Sequence, residues 1–241
     1  MLILKLSAAG TDNGLCTAPM AGAEDESFVH AVLDWLMQHN SQSASYTYLY
    51  GHSGGGRMSW RIACNSTLGL RLAGVLVTSA LLPANLRTSA SPTCSVSAMP
   101  PVIVTHGTKD TITDVSFEDE SVAWLAVAAK CSISTSTAGV SKDPVADLVR
   151  HTDCVGARPG FKLAYYRLKD APHDLPTKFW YSGALKYWIH GVGPGMEGFD
   201  AIMLQSSAGR RSARTHHVVT VLIPASICFL LGVSPLRGST H

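Results

Sequence analysis

The chain has 241 residues, with 19 Lys and Arg against 17 Asp and Glu, a formal net charge of +2. That length suits one sizeable core, and the near-neutral balance, with no basic patch interleaved with aromatics ahead of the C-terminal segment, points away from nucleic acid. Apolar residues make up 46% and charged residues 15%, which indicates a well-buried body with an additional apolar segment near the end.

Residues 1–22 lack clear periodicity, are rich in Gly, Ala and Thr, and read as loop. Their start, Met1-Leu2-Ile3-Leu4-Lys5-Leu6, has too short an apolar run for a signal peptide, and its lysine interrupts it. From Glu24 an amphipathic helix is expected. Phe28, Val29, Val32, Leu33, Trp35 and Leu36 recur at helical spacing, Glu24, Asp25 and Glu26 fill the first turn, and the helix closes around Gln38-His39-Asn40. A Ser-rich connector leads to the β-prone run Tyr46-Thr47-Tyr48-Leu49-Tyr50. That run ends in Gly51-His52-Ser53-Gly54-Gly55-Gly56, and a helix-like segment follows from Arg57 to about Cys64. Strand, sharp turn and helix are what a nucleophile elbow requires: the serine is strained so that its Oγ leaves the turn, and the residues two before and two after it must be small. Gly51 and Gly55 meet that demand.

Residues 72–80 form a continuous apolar run typical of a strand buried on both faces. A Pro, Ser and Thr-rich loop with Cys94 precedes a second such strand, residues 100–107, which ends in a glycine turn. Residues 121–129 read as helix, and 131–155 as polar and irregular apart from a short helix near 145–149. Residues 161–168 alternate like a strand, a loop holds Ala171-Pro172-His173-Asp174, and 179–190 read as a closing helix. Strands alternating with helices predict an α/β fold, with a mainly parallel sheet covered on both faces and chemistry at the carboxyl ends of its strands. Ser53, Asp110 and His173 fall there.

A serine hydroxyl needs a base to take its proton, and an imidazole needs an acid to hold its tautomer and stabilise its protonated form. In α/β-hydrolases the order along the chain is Ser, then Asp or Glu, then His. Ser53, Asp110 and His173 follow it, with Asp114 as a rival acid a few residues on. Among ten histidines, His52 lies in the elbow itself, His30 and His39 on a helix, His106 at a strand end and His151 in an irregular segment; His173, in a loop after a late strand, is the expected base. Six cysteines are widely spaced with no Cys-x-x-Cys, which points away from a zinc ribbon or finger. Spacing alone fits either buried thiols of a cytosolic protein or disulfides of an exported one.

The elbow Tyr50-Gly51-His52-Ser53-Gly54-Gly55-Gly56-Arg57-Met58-Ser59-Trp60-Arg61-Ile62-Ala63-Cys64 resembles that of secreted feruloyl esterases and poly(3-hydroxybutyrate) depolymerases, the carbohydrate-esterase branch of the α/β-hydrolases. The acidic helix Glu24-Asp25-Glu26-Ser27-Phe28-Val29 is similar to the family's Asp-rich segment, and Pro101-Val102-Ile103-Val104-Thr105-His106-Gly107-Thr108-Lys109-Asp110 to its acid loop. Cys131 and Cys154, with Ala171-Pro172-His173-Asp174-Leu175-Pro176 after them, resemble its paired cysteines and His loop, which here lacks the usual Trp. The resemblance covers roughly residues 10–190. It implies Ser53 as nucleophile, Asp110 as orienting acid and His173 as general base. Gly54 would be one oxyanion-hole donor, and Cys131–Cys154 and Cys64–Cys94 the disulfides. The family's opening strands and the His-Gly loop that brings a second donor have no counterpart before residue 10, so the sheet is expected to lack those strands.

The expected organisation is an α/β-hydrolase domain over 1–195, incomplete at its N-terminus, and a tail over 196–241 foreign to the family. The tail's apolar run 218–233 holds Pro224 and follows basic Arg210-Arg211-Ser212-Ala213-Arg214. It reads as an incidental segment, with a marginal membrane span or a lipid-anchor signal at Ser206-Ser207-Ala208-Gly209 as alternatives. The expected protein is an extracellular serine esterase, with membrane or lipid anchoring as the alternative location. It would act through an acyl-enzyme on an ester of plant-wall polysaccharide or polyester, with no metal or organic cofactor and no nucleic-acid partner. A binding module on a catalytically impaired hydrolase scaffold, or a serine peptidase of the oligopeptidase type, is the alternative.

Overall fold

The computed structural model describes residues 2–9, 23–40, 47–87, 93–138, 146–173, 217–224 and 232–235. In chain order its elements are β1 (Leu2–Ala9), α1 (Ala23–Asn40), β2 (Thr47–His52), α2 (Gly54–Cys64), β3 (Gly74–Thr78), the short α3 (Ala84–Arg87), β4 (Val102–Gly107) and α4 (Val115–Ala128), then five strands: β5 (Ser132–Ala138), β6 (Ala146–Thr152), β7 (Leu163–Leu168), β8 (His217–Pro224) and β9 (Gly232–Pro235). The nine strands among the described residues lie in one sheet, ordered β5-β6-β7-β4-β3-β2-β1-β8-β9. The central pairs β1/β2, β2/β3, β3/β4 and β4/β7 are parallel, as is β1/β8; β5/β6, β6/β7 and β8/β9 are antiparallel.

The core follows from the apolar runs. Every residue of β3 and β4 is buried, as expected for strands covered on both faces. On α1, Val29, Leu33 and Leu36 recur at steps of four and three residues and are buried; Trp35 lies off that stripe and is 51% exposed. On α2, Trp60 is fully buried and its indole N–H donates to the Ala80 carbonyl at 3.0 Å, satisfying the one polar atom of a large apolar side chain. Parallel register aligns the strand ends: His52 pairs with Thr78, Thr78 with Thr105, and Gly107 with Leu168. The chain therefore leaves β2, β3, β4 and β7 along one edge of the sheet.

Four expectations change. Residues 2–9, read as loop, form β1 between β2 and β8, so one strand does stand ahead of the elbow; a short apolar run suits a strand even where it is too short for anything else. Residues 131–155, read as irregular with a helix at 145–149, form the antiparallel pair β5 and β6, and His151 lies in β6. Their Ser and Thr-rich sequence hides the alternation usual in a strand, yet β-branched threonines suit a sheet edge, and β5 is an edge strand of the described sheet. The described parts of the apolar run 218–233 are strands β8 and β9. Among the described residues, no helix is long and apolar enough to cross a membrane. Finally, α4 begins at Val115 rather than near 121. Asp114 is its N-cap, the carboxylate accepting from the Ser116 amide at 2.8 Å. The closing helix expected over 179–190 lies outside the described residues.

Both disulfides implied by the family resemblance are present, Cys64–Cys94 and Cys131–Cys154. The first joins the end of α2 to the segment before β4, and the second closes the base of the β5–β6 pair. Loops of 30 and 23 residues restrict the unfolded chain, which contributes about 3–4 kcal/mol per bridge by the chain-entropy relation. Cys131 and Cys154 are only partly buried, whereas Cys64 and Cys94 lie in the core. Urea unfolding with increasing dithiothreitol is thus expected to fall in two steps, with Cys131–Cys154 reduced first by mass-spectrometric thiol counting. Simultaneous loss of both bridges would count against this order.

Candidate active site

Ser53 occupies the single residue between β2 and α2 with φ 53° and ψ −119°, a conformation strained for any side chain. Its amide donates to the Thr78 carbonyl at 2.9 Å, and its carbonyl accepts from Arg57 at 3.0 Å. Strand β3 and helix α2 thus clamp the turn from either side. A Cβ at Gly51 would stand 2.1 Å from the Gly55 carbonyl oxygen and 2.4 Å from Ser59 Oγ, so glycine there is a steric requirement. Gly56 matters as well, although the pentapeptide pattern does not include it: a Cβ would meet that of Ala80 at 2.5 Å, which would push α2 off β3. Gly54 opens α2, and the amide of a first helical residue has no acceptor within its own helix.

The acid and histidine loops are tied to each other before they reach Ser53. Thr108 N–H donates to Leu168 and Lys109 N–H to Ala171, both at 2.9 Å, and Asp170 N–H donates to Thr108 Oγ1 at 2.9 Å. Gly107 permits this approach, since a Cβ there would lie 2.2 Å from the Ala171 carbonyl oxygen. Asp110 Oδ1 accepts from the amides of Ile112 and Thr113 at 2.9 and 2.8 Å, which fixes the plane of the carboxylate. Its Oδ2 lies 2.8 Å from His173 Nδ1, and His173 Nε2 lies 3.0 Å from Ser53 Oγ. Residues 120 positions apart in the chain thus meet at hydrogen-bond distance.

The rivals are placed elsewhere. Asp114 caps α4, and the hydrogen bonds from Ser116 hold its pKa below the usual range. His30 pairs with Asp34 on α1 at 2.9 Å, and His39 belongs to the same helix. His151 is buried in β6, where burial lowers its pKa. The His52 ring lies beside that of His173, centroids 5.0 Å apart and tilted by 50°. His106 is fully buried directly behind Asp110. Its Nε2 is 2.8 Å from the Thr113 carbonyl and 3.0 Å from Asp110 Oδ2, and its Nδ1 is 3.2 Å from Glu118 Oε2. Burial opposes charge on His106, but Glu118, the Thr113 carbonyl and Asp110 together raise its pKa; burial raises that of Glu118. The sequence marks His106 only as a strand-end residue and gives no sign of Glu118. The glycine after His106 was the one local signal of a crowded turn. Among the described residues, no group of His, Cys, Asp and Glu is arranged to hold a metal.

No family model matches the chain, and no curated protein sequence matches it. Among solved structures, an acetyl xylan esterase from Aspergillus awamori aligns with a TM-score of 0.53 at 13% identity, over 73% of this chain and 84% of that one. A truncated carbohydrate esterase from gut microbiota gives 0.47 at 8% identity, over 86% and 85%. Esterase PE8 gives 0.45 at 14%, over 85% and 91%. At such identities likeness speaks to fold alone. With the mainly parallel sheet and the strand–turn–helix at Ser53, the first of these identifies an α/β-hydrolase fold.

Proposed function

We propose that the chain is a serine carboxylic-ester hydrolase working through an acyl-enzyme on Ser53. One observation carries the reading: a continuous path from Ser53 Oγ to His173 Nε2 at 3.0 Å and from His173 Nδ1 to Asp110 Oδ2 at 2.8 Å. With the Nδ1 proton donated to Asp110, Nε2 is left as an acceptor for the serine proton. Ser53 Oγ attacks the ester carbonyl while His173 takes the proton, and the amide of Gly54 faces the oxyanion. His173 then gives its proton to the leaving alkoxide, and water, activated by the same imidazole, releases the acid. A second oxyanion donor is expected from the segment after the strand beside the elbow. Strand β1 lies beside the elbow strand, Leu6 pairing with Gly51, and residues 10–22 that follow it lie outside the described residues.

The finer assignment, a feruloyl-esterase or polyhydroxybutyrate-depolymerase-like enzyme acting on an acyl ester of plant-wall polysaccharide or on a polyester, rests on the motifs around Ser53, Asp110 and His173. An acetyl xylan esterase shares the fold. Two disulfides fit an oxidising compartment and hence an extracellular protein. The test is incubation with a fluorophosphonate probe followed by peptide mapping, alongside hydrolysis of p-nitrophenyl acetate, methyl ferulate and a 3-hydroxybutyrate oligomer. An adduct on Ser53 with turnover of at least one ester is expected. A chain that neither labels nor turns over an ester is not this enzyme, and amide cleavage in preference to ester would make it a peptidase.

A further inference from the structure

Behind the three residues of the site lies a buried pair that the reaction just described does not use. His106 at the end of β4 and Glu118 in the first turn of α4 are both fully buried, with His106 Nδ1 3.2 Å from Glu118 Oε2. Replacing a buried pair of this kind with apolar side chains is often neutral or stabilising, so packing and stability do not account for it. Its placement does. His106 Nε2 is hydrogen-bonded to the Thr113 carbonyl at 2.8 Å and lies 3.0 Å from Asp110 Oδ2. It therefore carries a proton, as inferred from its partners. One further proton is shared between Nδ1 and Glu118, as imidazolium and carboxylate or as imidazole and carboxylic acid; both forms leave Nε2 protonated.

That proton acts on Asp110 from two directions. Through the Thr113 carbonyl it anchors the peptide unit at the turn whose amides, Ile112 and Thr113, bind Asp110 Oδ1. Through space it also acts electrostatically on Oδ2, which lies 3.0 Å from Nε2 and is the oxygen that pairs with His173 Nδ1. We propose that His106 is a positioning residue for Asp110: with Glu118 on its Nδ1, its protonated Nε2 holds the 110–113 turn through the Thr113 carbonyl and lies beside Oδ2, keeping that carboxylate in line with His173. The inference rests on Ser53 being the nucleophile. Without this donor the carboxylate turns more of its charge on His173, which then keeps its proton to higher pH and acts as a base only there. Other groups that bear on the network are Asp114 near His106, Tyr165 on β7 near Glu118, the Ala80 amide and Trp60 indole against Glu118, and His52 beside His173. None of them replaces the Nε2–H that binds the Thr113 carbonyl beside Asp110 Oδ2.

The test compares His106→Gln with His106→Asn. The glutamine amide nitrogen reaches the place of Nε2, whereas the asparagine nitrogen stops at the place of Nδ1. Second-order rates of fluorophosphonate labelling of Ser53 are measured from pH 5 to 9. The Gln variant is expected to stay within about threefold of the parent with the same acid limb. The Asn variant should show that limb displaced upward by about one pH unit, hence a rate about tenfold lower along it, with the alkaline plateau nearly recovered. Ester kinetics should show the loss in kcat rather than KM. Two variants that both match the parent, or are both slowed with an unmoved limb, would overturn the positioning role. A parent chain in which Ser53 does not label at all removes the esterase reading and this one with it, a different outcome from labelling without displacement. Should the Asn variant fail to fold, nitrogen-15 imidazole spectra of the unaltered chain decide: Nε2 of His106 must be protonated wherever Ser53 labels, and an unprotonated Nε2 there overturns the proposal.

Discussion

Ser53→Gly is expected to abolish ester turnover and at the same time to raise thermal stability. The two effects come from different atoms of one residue. Loss of the hydroxyl removes the nucleophile; in a serine hydrolase this costs on the order of 10⁶ in kcat. Loss of the Cβ relieves the backbone, because φ 53° with ψ −119° is a region that side chains occupy only under constraint. The constraints are visible: the Ser53 amide is fixed by Thr78, its carbonyl by Arg57, and Gly51 is pressed against Gly55. Relief of about 1–3 kcal/mol, less about 0.4–1 kcal/mol for the freer unfolded glycine, leaves a net gain centred near ~1 kcal/mol and at most about 2.5 kcal/mol. For a chain of this size that is a few degrees in Tm. Ser53→Ala is the control, since it removes Oγ and keeps Cβ. It should be as inactive as the glycine variant but no more stable than the parent. Turnover of p-nitrophenyl acetate and thermal unfolding followed by circular dichroism read both quantities. Residual turnover above about a thousandth of the parent rate in either variant would rule out Ser53 as nucleophile, and equal Tm values for Ala and Gly would rule out stored strain.

The elbow was legible because its demands are local. A turn that tight accepts only a few residue types at fixed offsets, and Gly51, Ser53 and Gly55 stand at those offsets. Strands β3 and β4 were legible because double-sided burial leaves uninterrupted apolar runs. What escaped has its cause elsewhere in the chain. β1 is a strand because β2 and β8 flank it, and nothing in Leu2–Ala9 by itself separates a short strand from a loop. β5 is polar because it lies at one edge of the described sheet, so the alternation that marks half-buried strands does not arise. The run 218–233 has the hydropathy of a marginal span but pairs β8 with β1 and β9; hydropathy reports burial and says nothing of what does the burying. The pairing of His106 with Glu118 is tertiary too. A residue ending β4 meets one in the first turn of α4 only because the Asp110–Asp114 turn folds back, and no spacing rule along the sequence encodes that.

That same turn makes Asp110→Asn more damaging than its near-identical shape suggests. Oδ1 accepts from two backbone amides, Ile112 and Thr113, so the oxygen of an introduced carboxamide must stay there. Its NH₂ is then forced onto the side of Oδ2, facing His173 Nδ1 at 2.8 Å and His106 Nε2 at 3.0 Å. A donor now faces His173 Nδ1, which had been donating to Oδ2, and crowds the nearby Nε2–H that His106 gives to the Thr113 carbonyl. His173 resolves the conflict by moving its proton to Nε2, which leaves a donor pointing at Ser53 Oγ where an acceptor is required. Substrate still binds, but the serine proton has nowhere to go. The expected result is a fall of about 10⁴ in kcat with KM little changed. Asp114→Ala separates this from general damage to the loop. Asp114 accepts from Ser116 in the first turn of α4, so its removal should cost about 1 kcal/mol of stability and leave kcat within about threefold of the parent. Steady-state kinetics and urea unfolding of the two variants supply the comparison. If Asp114→Ala proves the slower enzyme, the orienting acid has been placed on the wrong carboxylate. If Asp110→Asn retains more than a tenth of the parent kcat, the tautomer of His173 is not what Asp110 controls.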